Sequence, residues 1–186
     1  HLVASLWNVN DGATANLLMA AVLAEGHTVF ENSAMEPDIV DLGNFLIKMG
    51  AKIKGLGTER IEVEGVKKLN PVHYKIMPDR IEAGTFLISA AMTKGNVKIT
   101  NMVPEHIDSL LVHLTEMGFI IKRGSNWVSI APSKKLTGTV IKTKEYPGFP
   151  TDLQAPMMAL STTLPGISVI IENIFENRFT HVGELR

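Results

Sequence analysis

The stretch Leu17-Leu18-Met19-Ala20-Ala21-Val22-Leu23-Ala24-Glu25-Gly26, followed by His27-Thr28-Val29-Phe30-Glu31-Asn32, decides the fold, because the chain repeats its layout twice. The second copy is Phe86-Leu87-Ile88-Ser89-Ala90-Ala91-Met92-Thr93-Lys94-Gly95, then Asn96-Val97-Lys98-Ile99-Thr100-Asn101. The third is Met157-Met158-Ala159-Leu160-Ser161-Thr162-Thr163-Leu164-Pro165-Gly166, then Ile167-Ser168-Val169-Ile170-Ile171-Glu172. Gly95 follows Gly26 by 69 residues, and Gly166 follows Gly95 by 71. In each copy an apolar run of helical length closes at a glycine, the residue that best accepts the left-handed conformation ending a helix. The short β-branched segment after it reads as a strand.

Working outward, Glu36-Pro37-Asp38 and Pro104-Glu105-His106 suit helix starts. The helices they open carry Ile39, Leu42, Phe45, Leu46 and Met49, and Ile107, Leu110, Leu111, Leu114 and Met117, at three- and four-residue spacing. Both close at Met-Gly, and each is followed by two short strands around a hairpin-like turn, Gly55-Leu56-Gly57-Thr58 and Arg123-Gly124-Ser125-Asn126. The fold class is therefore α/β, built on a repeat of helix, strand, helix, strand, strand. A period near 70 exceeds the ~20 to 50 residues usual for solenoids and points to compact units around a shared centre. The helices over Leu17–Ala24 and Phe86–Met92 are apolar nearly all round, so they are expected inside, with sheets outside. Tyr146-Pro147-Gly148-Phe149-Pro150 interrupts the third copy just before its helix, and residues 70–80 suit a crossing between domains.

A chain of 186 residues makes one ordinary domain or parts of two. With 45% hydrophobic and 20% charged residues it has the composition of a globular protein with a real core. Its net charge of −1 provides no global field toward nucleic acid or an anionic membrane, and neither is expected as a partner. The absence of cysteine rules out a disulfide framework, a thiolate metal site and a cysteine nucleophile within this chain, and is compatible with a reducing cytoplasm. No apolar run approaches the ~20 residues that span a bilayer. His1-Leu2-Val3-Ala4 is not a signal peptide, Gly183–Arg186 stops inside the start of a helix, and both ends read as cut. The six histidines show no metal-ligand spacing, and the nine methionines read as core.

Five ordered motifs carry more specific information: Leu23-Ala24-Glu25-Gly26, Glu36–Asp41, Pro78–Thr85, Phe149–Ala155 and Phe175–Val182. Together they resemble the UDP-N-acetylglucosamine 1-carboxyvinyltransferase family, and the resemblance covers essentially the whole chain. It implies two similar domains, each an inside-out α/β barrel of three repeated units with internal helices (the enolpyruvyl transferase fold). Residues 1–77 are then the later part of one barrel domain and 78–186 part of the second, an internal fragment of a longer enzyme. The implied activity transfers the enolpyruvyl group of phosphoenolpyruvate to the 3-hydroxyl of UDP-N-acetylglucosamine. Phosphate leaves through a tetrahedral intermediate, in the first committed step of peptidoglycan synthesis and hence of cell wall biogenesis. The family implies a cytoplasmic monomer and neither metal nor organic cofactor. Its Lys-Asn pair, its loop with the catalytic Cys and a further Arg fall outside this chain, so the chain alone is expected to be inactive. Two alternatives remain open: the sister enzyme acting on shikimate 3-phosphate, against which the motifs at 149–155 and 175–182 argue, and a non-catalytic paralogue with a binding or structural role.

By residue type alone, Asp152 at a loop-to-helix junction is a helix cap. The resemblance makes it the carboxylate that meets the sugar 3-hydroxyl, a proposed general base. Arg178 reads as a surface side chain or a partner of Glu176. The resemblance puts it near the phosphoenolpyruvate and nucleotide site, where a guanidinium suits anionic oxygens. Ile174 and Phe175 read as core residues at a strand end, and the resemblance gives Ile174 a backbone contact with the sugar nucleotide. Glu36 reads as a helix-start residue and Asp79 as an ion-pair partner of Arg80; the resemblance places both carboxylates at the site. Asn8-Val9-Asn10-Asp11-Gly12 precedes a helix, with Asn10 or Asp11 as its cap and free amides as an anion site. The resemblance assigns this stretch to the nucleotide, although Asn10-Asp11 stands where the family carries a Ser-Val-like pair and Asn8 where it often carries a basic residue. Pro156 is tolerable only in a first helical turn.

Overall fold

The computed structural model describes residues 2–6 and 10–186, which form two compact units, 1–77 and 78–186. In the first, strand β1 (Leu2–Ser5) leads to helix α1 (Asp11–Ala21) and strand β2 (His27–Glu31). Helix α2 (Pro37–Lys48) and strands β3 (Lys52–Lys54) and β4 (Arg60–Glu64) follow. The sheet order is β1-β2-β4-β3, with β1 parallel to β2 and the other pairs antiparallel. Period-two alternation sends Ile61 and Val63 of β4, with their partners Phe30 and Thr28 of β2, inward against Leu18, Ala21, Ile39 and Leu46.

The second unit repeats this order. Helix α3 (Arg80–Met92), strand β5 (Val97–Thr100), a 3₁₀ turn at Pro104–Ile107, helix α4 (Asp108–Glu116) and strands β6 (Ile120–Arg123) and β7 (Trp127–Ala131) give an antiparallel sheet, β5-β7-β6. Strand β8 (Val140–Lys142), a 3₁₀ turn at Thr151–Leu153, helix α5 (Gln154–Thr162) and strand β9 (Val169–Ile171) then form a parallel pair, before a short helix α6 (Val182–Leu185). Among the described residues no sheet closes into a barrel, and no helix is long and apolar enough to cross a membrane.

Local findings refine the sequence reading. The first and third copies begin with a strand, since β1 and β8 each precede the copy's helix and pair parallel with the strand after it. The side-chain amide of Asn32 donates to the Leu6 carbonyl after β1, and that of Asn173 donates to the Thr143 carbonyl after β8, so the same bracket recurs. Gly26 and Gly166 have positive φ as expected, whereas in the second copy Lys94 takes the left-handed conformation and Gly95 does not. The helices are not buried all round: Leu17, Met19 and Leu23 near α1 and Phe86 of α3 are exposed. Along α3 and at its C-cap the hydroxyls of Thr85, Ser89 and Thr93 donate to carbonyls one turn back, a local bond that satisfies each donor. Pro156 sits in the first turn of α5, where its missing N–H costs nothing.

Helix α3 meets the turn before α5 at Gly84, where a Cβ would lie 2.6 Å from Leu153 Cδ1 and 3.1 Å from Leu110 Cδ2. Both leucines are fully buried, so neither has room to yield. In the first unit the segment after β4 is held on α2. The Tyr74 hydroxyl donates to Asp41 Oδ1 at 2.8 Å, its ring lies 5.2 Å from that of Phe45, and Lys48 Nζ donates to the His73 carbonyl at 2.6 Å.

Two outcomes follow from this packing. Gly84→Ala gains up to about 1 kcal/mol of helix propensity but forces overlap costing about 1–3 kcal/mol, so the denaturant midpoint falls; in a Leu153→Ala background the penalty shrinks to what the Leu110 contact imposes. Burial first, then donation to Asp41 and its negative charge, raise the Tyr74 phenol above its ordinary value of 10.0. The stability tied to its proton is complete below pH 10.0 and is lost as pH rises through the folded value. Tyr74→Phe therefore costs about 1 kcal/mol at neutral pH and flattens the loss of stability above that point, read from melting temperature against pH.

Candidate functional site

The second unit brings Asp152 and Arg178 together. Asp152 lies in the 3₁₀ turn that leads into α5, and its Oδ1 accepts from Arg178 Nη2 at 2.7 Å. Neither is deeply buried: the side chains are 54% and 35% exposed, so the pair is reachable from solvent. The Arg178 guanidinium also stands 4.9 Å from the centre of the Phe175 ring, within cation–π range. The partner of Arg178 is thus Asp152, 26 positions away, and not the neighbouring Glu176. Among the described residues, the hydrogen bond that the Asp152 carboxylate accepts comes from Arg178 and not from a helix amide.

Glu172 fixes the surroundings of this pair. Its Oε1 accepts from the backbone N–H groups of Ile174 at 2.8 Å and Phe175 at 3.2 Å and from the Thr143 hydroxyl at 2.9 Å. Its Oε2 accepts from the Thr151 hydroxyl at 2.9 Å. Burial disfavours the charged carboxyl, but these donors outweigh it and hold Glu172 below the usual carboxylate range. The N–H groups of Ile174 and Phe175 are therefore spent inside the protein. The fully buried Thr143 also accepts from the Asn173 N–H at 2.8 Å. Residue by residue, neither Glu172 nor the two threonines stands out in the sequence. The available signal is the repeat, in which Glu31-Asn32 and Glu172-Asn173 both close the strand after a buried helix.

In the first unit the stretch Asn10-Asp11-Gly12 opens α1, while Asn8 and Val9 lie outside the described residues. Asn10 is the cap: its Oδ1 accepts from the Ala13 N–H at 2.7 Å, and its carbonyl accepts from the Thr14 N–H at 3.0 Å. Asp11 Oδ1 accepts from the Gly12 N–H at 2.7 Å. The Gly12 and Ala13 amides are thus already covered by the chain's own side-chain oxygens. Glu36 occupies the cap position of α2, but its carboxylate makes no capping bond, and its Oε2 is buried without a hydrogen-bond partner among the described residues. The loop before it is tied to α1, since the Ala34 N–H donates to the buried Thr14 hydroxyl at 3.1 Å. Asp79 caps α3, its Oδ1 accepting from the N–H groups of Ile81 at 2.7 Å and Glu82 at 3.1 Å. Arg80 is buried, with its guanidinium 5.5 Å from the Tyr146 ring centre. Among the described residues no three His, Asp or Glu side chains gather as a metal site.

This arrangement can do two things chemically. A reachable carboxylate can take a proton from a hydroxyl, and a reachable guanidinium can hold an anionic oxygen. Comparison with known proteins adds the family. The model for EPSP synthase (3-phosphoshikimate 1-carboxyvinyltransferase) matches residues 8–186. The chain is 56% identical over 174 residues to the UDP-N-acetylglucosamine 1-carboxyvinyltransferase of Geotalea daltonii, covering 94% of the chain and 42% of that protein. It is 55% identical over 175 residues to UDP-N-acetylglucosamine 1-carboxyvinyltransferase 1 of Caldanaerobacter subterraneus subsp. tengcongensis, with the same coverage. The chain thus spans about two fifths of the length of these relatives. Among solved structures, the enolpyruvyl transferase NikO from Streptomyces tendae superposes with a TM-score of 0.85 at 22% identity, over 98% of this chain and 46% of that one. EPSP synthase from Acinetobacter baumannii gives 0.63 at 18% identity, over 98% and 44%. These likenesses establish the enolpyruvyl transferase fold, and with the match over residues 8–186 the chain belongs to the EPSP synthase (3-phosphoshikimate 1-carboxyvinyltransferase) family.

Proposed function

We propose that this chain is part of a cytoplasmic, monomeric enzyme that transfers the enolpyruvyl group of phosphoenolpyruvate to the 3-hydroxyl of UDP-N-acetylglucosamine, in peptidoglycan synthesis. Residues 1–77 belong to one inside-out barrel domain and 78–186 to the other. The observation that carries this reading is the 2.7 Å pairing of Asp152 with Arg178, in a chain 55–56% identical to transferases named for that sugar nucleotide. Asp152 takes the proton of the 3-hydroxyl as that oxygen bonds to C2 of phosphoenolpyruvate, while C3 takes up a proton. The tetrahedral adduct then loses a proton from C3, the bond from C2 to the phosphate oxygen breaks, and inorganic phosphate leaves. Arg178 faces the negative charge of the phosphate or carboxylate groups. The Ile174 carbonyl, Phe175, Glu36, Asp79 and the stretch Asn8–Gly12 contribute to binding the sugar nucleotide.

The name of the family model favours a second reading, with shikimate 3-phosphate as acceptor. Phosphate release by a full-length protein containing this sequence separates the two. Turnover is expected with UDP-N-acetylglucosamine and not with shikimate 3-phosphate; the reverse result adopts the second reading. The 186-residue chain alone is expected to release none. Asp152→Asn in the full-length protein should lower kcat by about 10²- to 10⁴-fold without a matching loss of melting temperature. Retention of wild-type kcat would remove Asp152 as the base.

A further inference from the structure

We infer that Glu172 is the positioning residue of this site: it sets Asp152 and the Ile174–Phe175 backbone in one geometry while touching no substrate itself. The inference rests on the reading above and deepens it. Glu172 gathers donors from three separate segments: the end of β8 through Thr143, the turn into α5 through Thr151, and the loop after β9 through Ile174 and Phe175. Thr151 is the residue before Asp152, and Phe175 is the residue under the Arg178 guanidinium. One carboxylate therefore joins the loop that presents the candidate base to the loop that presents the guanidinium. Without Glu172, the side-chain hydrogen bond that still ties these two loops is the exposed Asp152–Arg178 pair itself. An exposed pair is a weak constraint on geometry.

The acceptor pattern explains why a carboxylate is needed. Three donors converge on Oε1 and a fourth meets Oε2, so each of these four contacts brings a donor to Glu172. Glutamine keeps Oε1 but presents N–H groups to the Thr151 hydroxyl, which must turn round to accept them. Leucine leaves the two backbone N–H groups and the Thr151 hydroxyl without these acceptors, and leaves Thr143 only the Ile171 carbonyl at 3.4 Å. The order of damage should run Glu, Gln, Leu.

The test uses the full-length protein. Glu172→Gln and Glu172→Leu are made alone and in an Asp152→Asn background, and melting temperature, kcat and KM for each substrate are measured. Displacement of a reacting group by an ångström is enough for about a 10²-fold loss. Glu172→Leu is therefore expected to lower kcat/KM about 10²-fold, with Glu172→Gln in between. In the Asp152→Asn background kcat should fall no further, because the residue that Glu172 positions is already disabled. Equal losses in both backgrounds, tracking the fall in melting temperature, would make Glu172 a stability residue only and overturn the inference. If Glu172→Leu does not fold, Glu172→Gln with Thr151→Val supplies the same comparison, since non-additive effects on kcat are expected of groups that share one bond. Should the wild type transfer no enolpyruvyl group at all, the functional reading fails by itself. Positioning is then decided by the coupling between Asp152 and Arg178 in stability, which should shrink when Glu172 becomes Gln and stay unchanged if Glu172 plays no such part.

Discussion

A carboxylate drawn away from water has to be matched by donors, and in the second unit this requirement organises everything around the candidate site. Glu172 is half-buried, and the donors that meet it outweigh the cost of burial and favour its charged form. Those donors come from three segments, the end of β8, the turn into α5 and the loop after β9, and the carboxylate draws them together. The apolar side of the same unit works by exclusion. Gly84 lets α3 come up against Leu153, and that contact seats the turn carrying Asp152. A polar hub and an apolar close approach thus fix the same few residues from opposite directions.

Much of this is legible in the sequence, for physical reasons. Strongly periodic segments dominate their own conformation, so α2 and α4 are readable from three- and four-residue spacing and Met-Gly ends alone. The strands β3, β4, β6 and β7 are likewise marked by turn chemistry. What is not legible depends on partners distant in the chain. Strands β1 and β8 are short, and each becomes a strand through parallel pairing with β2 or β9. The left-handed residue closing the second copy is Lys94 because the chain turns one position before Gly95. Local sequence offers Arg178 a neighbour, Glu176, whereas its partner is 26 positions away.

The site divides in the same way. Asp152 and Arg178 are visible as residue types in motifs, but their contact is not. Glu172, Thr143 and Thr151 carry no motif of their own, since a strand-end glutamate and two threonines are ordinary surface residues until the fold brings them together. In the first unit the structure also changes the meaning of a sequence feature. Asn10 and Asp11 do mark the start of α1, yet their oxygens occupy its first amides. A nucleotide reaching that helix end would exchange with groups already bound there.

The hydroxyls along α3 have a consequence for hydration. Thr85, Ser89 and Thr93 point their donors back into the helix, so the exposed side of α3 asks little of the solvent even though it carries three alcohols. Covering that face strands none of these three donors, while the hydroxyl oxygens keep acceptor capacity that a donor on a covering surface can fill.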